Sequence, residues 1–204
     1  GSLRRRFAGP LLAALVLAGM FAFGTVRLST APPVRADAPM VRIVQADIDQ
    51  KDKWKPENLD AIVEAYVELS RGKPGDPVPQ IIVWPEGALP AVIDDLLAPG
   101  SPYVARFAQA VAPGQTLLLG ANRVQFDAQG QPDYFNSLVA LRGEPEGLKV
   151  TGVYDKHRLV PFGEFLPFGD LATRLGIRSL VHMPEDFTAG PPPRPISPQG
   201  LPPL

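Results

Sequence analysis

Cysteine is absent, so within these 204 residues there is no disulfide framework, no thiolate metal site and no thiol nucleophile. Histidine occurs only as His157 and His182, too few and too isolated for a metal site or for the base of a Ser-His-Asp triad, and both read as structural. Neither a metal nor a cofactor is expected. An excess of one charge is lacking too: 20 Lys and Arg against 21 Asp and Glu leave a formal net charge of -1. Such a balance offers no basic surface for nucleic acid and no strongly acidic one, so nucleic-acid binding is disfavoured. No internal repeat is visible. The 25 prolines are many for this length, but they gather in Ala31–Pro39 and Gly190–Pro203 and so mark linkers more than general disorder. There is also no initiator Met, and the chain stops at Gly200–Leu204 as an apolar run begins, so a fragment of a longer protein is expected. What remains after an apolar N-terminus suits one domain of ordinary size.

What is present begins with Arg4-Arg5-Arg6 and then Phe7–Val26, an uncharged run long enough as a helix, at about 1.5 Å per residue, to cross a hydrocarbon core of about 30 Å. A transmembrane helix is the preferred reading. The arginine triplet outweighs Arg27 on the far side, which leaves the N-terminus in the cytoplasm and the rest of the chain outside. A cleaved signal peptide, with Ala36-Asp37-Ala38 as its cleavage site, competes with this, and a buried helix of a soluble core is a third reading. The expected division is 1–28 for the cytoplasmic end and span, 29–39 for a linker, and 40–204 for a partial extracytoplasmic domain.

In that domain Met40–Ile48 reads as a strand and Lys51–Trp54 as a polar loop. Pro56 opens a helix whose apolar positions run from Leu59 to Val67 before Gly72 ends it. Ile81–Trp84 is a strand buried on both faces. Ser101–Ala112 is a second helix with a Ser cap and Pro at its first position. Thr116–Gly120 is a strand, Arg123–Phe126 leads into a turn at Asp127–Gly130, and Tyr134–Leu141 pairs with Leu148–Tyr154 across Arg142–Gly147. A short helix is expected at Leu171–Leu175. This order implies an α/β or α+β layered sandwich.

Two strand ends offer ionisable groups. Glu86 follows Trp84-Pro85, where proline fixes the backbone, and among apolar neighbours the carboxylate is suited to general-base work. Lys156 follows the run Leu148–Tyr154 and precedes a segment broken by Pro161, Gly163 and Pro167. Loop mouths held by a scaffold collect reactive groups, and the two residues are expected to meet in one pocket. Read alone, Glu86 is a solvated loop acid and Lys156 an ordinary surface lysine. Glu164, enclosed by phenylalanines and prolines in P-F-G-E-F-L-P, needs a partner to be tolerated. Trp54 and Trp84 are more often packing residues than ligands, and Asn136 serves strand-edge backbone groups on the ordinary reading.

The strings W-P-E-G-A-L-P, Y-F-N-S-L-V and Y-D-K-H-R-L-V-P-F-G-E-F-L-P, in this order after V-R-I-V-Q-A-D-I and behind an apolar span, resemble the apolipoprotein N-acyltransferase branch of the carbon–nitrogen hydrolase (nitrilase) superfamily. The resemblance covers essentially the whole chain; K-x-x-L-V-P-F-G-E is specific to the branch, whereas W-P-E is shared more widely. It implies an incomplete nitrilase-like α-β-β-α sandwich behind one transmembrane helix, in the bacterial inner membrane with the catalytic domain facing the periplasm. The family's Glu-Lys-Cys chemistry implies Glu86 as base, Lys156 as the lysine and Glu164 as a further carboxylate of the pocket. Trp54, Asn136, Phe162 and Phe165, with Phe168, are the implied substrate contacts. The implied partners are a phospholipid acyl donor, a diacylglyceryl apolipoprotein acceptor and the membrane. The family cysteine lies on a strand beyond a proline-rich loop, which corresponds to a position past Leu204, so no turnover is expected of these 204 residues alone. An extracytoplasmic amidase of the same fold and a non-catalytic membrane-tethered module are the alternatives.

Overall fold

The structure, a computed structural model, describes residues 3–33, 35, 37–165, 186–198 and 201. It divides into two compact units, Gly1–Ala38 and Pro39–Leu204. The first is built on helix α1 (Leu3–Ser29), which contains Pro10 and ends on Arg27 in its last turn. Large apolar side chains such as Leu11, Leu12, Leu15, Phe21 and Phe23 point to every side of it, the pattern of a helix that needs an apolar surrounding all round. Its Phe7–Ser29 stretch of 23 residues is long and apolar enough to cross a membrane.

The second unit is a five-stranded sheet in the order β1 (Val41–Ile43), β2 (Ile81–Trp84), β3 (Thr116–Phe126), β4 (Pro132–Glu144), β5 (Gly147–Asp155). β1, β2 and β3 are parallel, and β3, β4 and β5 are antiparallel. Parallel neighbours need crossovers. The first runs through the one-turn helix α2 (Gln50–Lys53), a 3-10 turn at Pro56–Asn58 and α3 (Leu59–Arg71); the second runs through α4 (Ile93–Leu96) and α5 (Pro102–Ala110).

Helix periodicity decides which face is covered. Ile62, Val63, Tyr66 and Val67 of α3 and Phe107 of α5 are buried against Ile82, Trp84, Leu117, Leu119, Val139 and Leu141 of the sheet. α3 stops at Gly72, whose φ of 70° suits glycine, and Arg42 donates to the Ser70 carbonyl at 2.6 Å to satisfy the helix end. α5 starts at Ser101, whose hydroxyl accepts from the Tyr103 amide at 3.3 Å. The alternate strand residues Ile81, Leu118 and Ala140 form a small separate cluster on the other face, with Val83 and Leu138 only partly buried against it.

Several elements differ from the sequence expectation. The first strand is three residues and not Met40–Ile48, because β2 provides only a short partner and the chain then departs through Asp47 at φ 52°. Lys51–Trp54 is not a loop: Gln50–Lys53 is helical, capped by the Asp49 carboxylate on the Lys51 amide at 2.8 Å. β3 runs unbroken to Phe126, paired residue by residue with β4 as far as Pro132. The hairpin between β4 and β5 is tighter than expected, with Glu144 already opposite Gly147. The helix expected at Leu171–Leu175 lies outside the described residues.

Candidate active site

Glu86 is positioned by what lies before it. Trp84 is 1% exposed, its ring 4.9 Å from that of Tyr66 and 5.7 Å from that of Phe107 between centroids. Its indole N–H donates to Ser70 Oγ at 2.8 Å. Pro85 then opens a tight turn in which the Ala88 amide bonds the Pro85 carbonyl at 3.1 Å and Gly87 takes φ 60°. The turn packs directly on β3 at Gly120, where a Cβ would lie 2.6 Å from Glu86 Cα and 2.6 Å from the Pro85 oxygen. The Lys53 ammonium donates to the Gly87 carbonyl of the same turn. The carboxylate itself is not enclosed as its apolar neighbours suggest: its side chain is 66% exposed.

Lys156 follows β5 directly, and its amide continues the ladder to the Asn136 carbonyl at 2.8 Å. Asp155 before it is held by Arg123 at 3.0 Å and by the Ser137 hydroxyl at 2.6 Å, in a pair of largely buried side chains. The Gly190 amide donates to the Lys156 carbonyl at 2.9 Å. Glu164 belongs to the turn that follows, where its amide donates to the Val160 carbonyl at 2.8 Å and Phe162 is held at φ 62°. Only 7% of Glu164 is exposed, and its partners explain why this is tolerated. One carboxylate oxygen accepts from the Val160 amide at 2.7 Å, and the other accepts from Lys156 Nζ at 2.8 Å and Asn136 Nδ2 at 2.6 Å.

The two strand ends thus meet. Lys156 Nζ is 3.3 Å from Glu86 Oε1, and Asn136 Nδ2 donates to the same oxygen at 2.5 Å. Asn136 therefore bridges two carboxylates through one amide nitrogen, where the sequence pointed to strand-edge duty or a substrate contact. By strand alternation it shares the face of Leu138 and Ala140, so the cluster extends from the side of the sheet that α3 and α5 leave uncovered.

The charges are fixed by these contacts. The hydrogen bond to Glu164 raises the Lys156 pKa against the opposing effect of burial, and the nearby Glu86 charge adds to it. Burial on its own would push Glu164 up, but the bonds from Lys156, Val160 and Asn136 outweigh it and leave the carboxyl below its ordinary value. Lys156 is thus a persistent cation and Glu164 its buried counter-ion, while Glu86 is the solvent-accessible carboxylate of the cluster. Among the described residues no three His, Asp or Glu side chains group to hold a metal ion.

The aromatic candidates are less uniform. Trp54 is 59% exposed, with the Lys53 ammonium 5.6 Å from its ring centroid. Phe162 is 64% exposed, and Phe165 is half-buried where its backbone bridges Pro161. Phe168 and His182 lie outside the described residues. His157 serves a structural contact, its Nδ1 lying 2.7 Å from the Gly190 carbonyl. Two residues that shape the site carried no local signal in the sequence, Gly120 and Lys53.

No family model matches the chain. Curated proteins do. It is 46% identical over 197 residues to an apolipoprotein N-acyltransferase of Caulobacter vibrioides, a match covering 93% of this chain and 36% of that protein. It is also 38% identical over 191 residues to the apolipoprotein N-acyltransferase of Rhizobium leguminosarum, covering 89% and 34%, and 39% identical over 173 residues to that of Brucella suis, covering 82% and 31%. The chain is homologous to one segment of the apolipoprotein N-acyltransferases. It spans about a third of the length of the curated N-acyltransferases it matches. That homology and the apolar α1 together indicate a membrane-associated protein. A solved glutamine-dependent NAD+ synthetase from Acinetobacter baumannii overlaps 70% of this chain and 23% of its own at 19% identity, but its TM-score of 0.40 is too low to support any argument.

Proposed function

We propose that this segment supplies the base and the lysine of an enzyme that moves an acyl group from a membrane phospholipid to the N-terminal α-amine of a diacylglyceryl-cysteine apolipoprotein. The observation that carries the proposal is the convergence of Glu86 at 3.3 Å and Glu164 at 2.8 Å on the Lys156 ammonium, in a chain homologous to apolipoprotein N-acyltransferases. A cysteine thiol contributed from outside these 204 residues is the nucleophile. Glu86 takes its proton, and the thiolate attacks the ester carbonyl of the phospholipid. Lys156 stabilises the oxyanion of the tetrahedral adduct, which collapses to a thioester as the lysophospholipid alkoxide leaves with the proton returned from Glu86. The lipoprotein amine then attacks the thioester, Glu86 accepts its proton, and the thiolate is released to complete the amide. Glu164 and Asn136 take no proton; they hold Lys156 charged and Glu86 in reach.

The same reading assigns the chain to a nitrilase-like α-β-β-α sandwich. Its support is the mixed sheet with α3 and α5 on one face and a second apolar cluster of Ile81, Leu118 and Ala140 on the other. It places α1 in the bacterial inner membrane and the second unit in the periplasm, on the greater positive charge of the Arg4-Arg5-Arg6 side. Trp54, Phe162 and Phe165 are assigned to acyl-chain contacts. A membrane location suits two substrates that are both held in the bilayer.

The full-length protein containing this chain, supplied with phospholipid bearing a labelled acyl chain, should form a hydroxylamine-sensitive acyl-enzyme. Added lipopeptide with a free α-amine should collect that label as an amide. Release of label only as free fatty acid would favour a hydrolase, and absence of any acyl-enzyme would rule out the thioester route.

A further inference from the structure

The orientation of Glu86 depends on a turn held by two contacts. Gly120 supports it from β3, and Lys53 reaches it from α2, donating to the carbonyl of Gly87, the next residue. Lys53 is an unusual donor for this duty. It ends a one-turn helix at the surface, where an extended side chain would put the ammonium in water. It is instead half-buried, burial lowers its pKa, and no carboxylate among the described residues counters that shift. A cation that gives up water for one backbone carbonyl loses solvation that a neutral hydrogen bond only partly replaces. The neighbouring residue is Trp54, so one contact joins the segment carrying an exposed aromatic to the turn carrying the exposed acid.

We propose that Lys53 is a positioning residue: its bond to the Gly87 carbonyl sets the direction of the Glu86 carboxylate towards Lys156 and couples that direction to the Trp54 segment. This rests on the acyltransferase reading for its kinetic consequence, though not for the contact itself. With the bond removed, the turn's own Ala88-to-Pro85 hydrogen bond opens more often and the turn is freer to reorient. Glu86 then spends less time in line with the shared proton, which lowers turnover and leaves substrate binding almost unchanged.

The test has two arms, with Lys53→Met and Lys53→Arg in each. In the full-length protein, exchange of the Ala88 amide, which bonds the Pro85 carbonyl, should quicken about tenfold in Lys53→Met, with Leu117–Leu119 of β3 unaffected and Lys53→Arg close to the parent. In the full-length protein, Lys53→Met should lower kcat about tenfold with KM within twofold, and Lys53→Arg should recover most of the loss. A residue of merely structural importance would lower the unfolding midpoint and slow neither kcat at constant KM nor respond to arginine. Unchanged exchange at Ala88 overturns the proposal, as does quickened exchange with unaltered kcat. If the parent full-length protein transfers no acyl group, the acyltransferase reading fails instead, and the exchange arm still decides the Lys53 contact.

Discussion

A methyl group at Gly120 is the sharpest perturbation of the site that leaves every ionisable group in place. The added Cβ of Gly120→Ala would lie 2.6 Å from Glu86 Cα, 2.6 Å from the Pro85 oxygen and 2.7 Å from the Glu86 nitrogen. Non-bonded carbon atoms rest about 3.5 to 4.0 Å apart, so roughly 1 Å of movement is needed. All three contacts are backbone, so no side chain can swing aside. β3 is paired on both sides, with β2 and with β4, and the turn is the softer party. Displacing it by about 1 Å carries the 2.5 Å bond between Asn136 and Glu86 to the limit of useful hydrogen bonding and the 3.3 Å approach of Lys156 past it. A misplacement of that size costs about 100-fold in turnover, and the overpacking costs about 1 to 3 kcal/mol of stability. Urea denaturation of the 204-residue chain and acyl-transfer kinetics of the full-length protein read the two effects. Parent-like kcat together with an unchanged midpoint would refute the claim that Gly120 holds the turn.

Other consequences are as direct. Ser70→Ala removes the acceptor of the buried Trp84 indole N–H, and the unsatisfied donor should cost about 1 to 3 kcal/mol in urea denaturation. Glu164 titrates below its unfolded value of about 4.3, so its stabilising effect is complete above that pH and is lost as pH falls through the folded pKa. Lys156 is shifted up, so its contribution is complete below about 10.4 and is lost as pH rises through its folded pKa. Midpoints measured from pH 2 to 11 should therefore fall at both ends, and Glu164→Gln should make the acid fall shallower; an identical acid fall would contradict the pairing. Phe162 occupies φ 62°, a strained region for a bulky residue, so Phe162→Gly should raise stability by about 1 kcal/mol while weakening use of long-chain phospholipid, read as an increased KM.

Strand ends were legible because their markers are local. Ile81–Trp84 stopped by Pro85, and Leu148–Tyr154 ahead of Pro161 and Gly163, place Glu86 and Lys156 without reference to the rest of the chain. α2 and α4 were not legible, since four residues are too few to establish a helical period. The polar end of β3 from Asn122 to Gln125 is extended because β4 pairs with it, a tertiary effect that local composition does not contain. The exposure of Glu86 was not settled by its neighbours in sequence, for a related reason. Its chain neighbours are apolar and buried, but the turn after Pro85 directs the carboxylate away from them. Lys53 and Asn136 reach the site across 34 and 50 residues of sequence, and their roles exist only once the sheet is assembled.

Glu86→Gln in the full-length protein is the most direct test of the central claim, because the side chain is 66% exposed and its replacement should leave the unfolding midpoint within about 0.5 kcal/mol. The account predicts that acyl transfer from phospholipid to a lipopeptide amine falls about 100-fold or more, as removal of a general base requires. Transfer at the parent rate in a folded Glu86→Gln protein would contradict it.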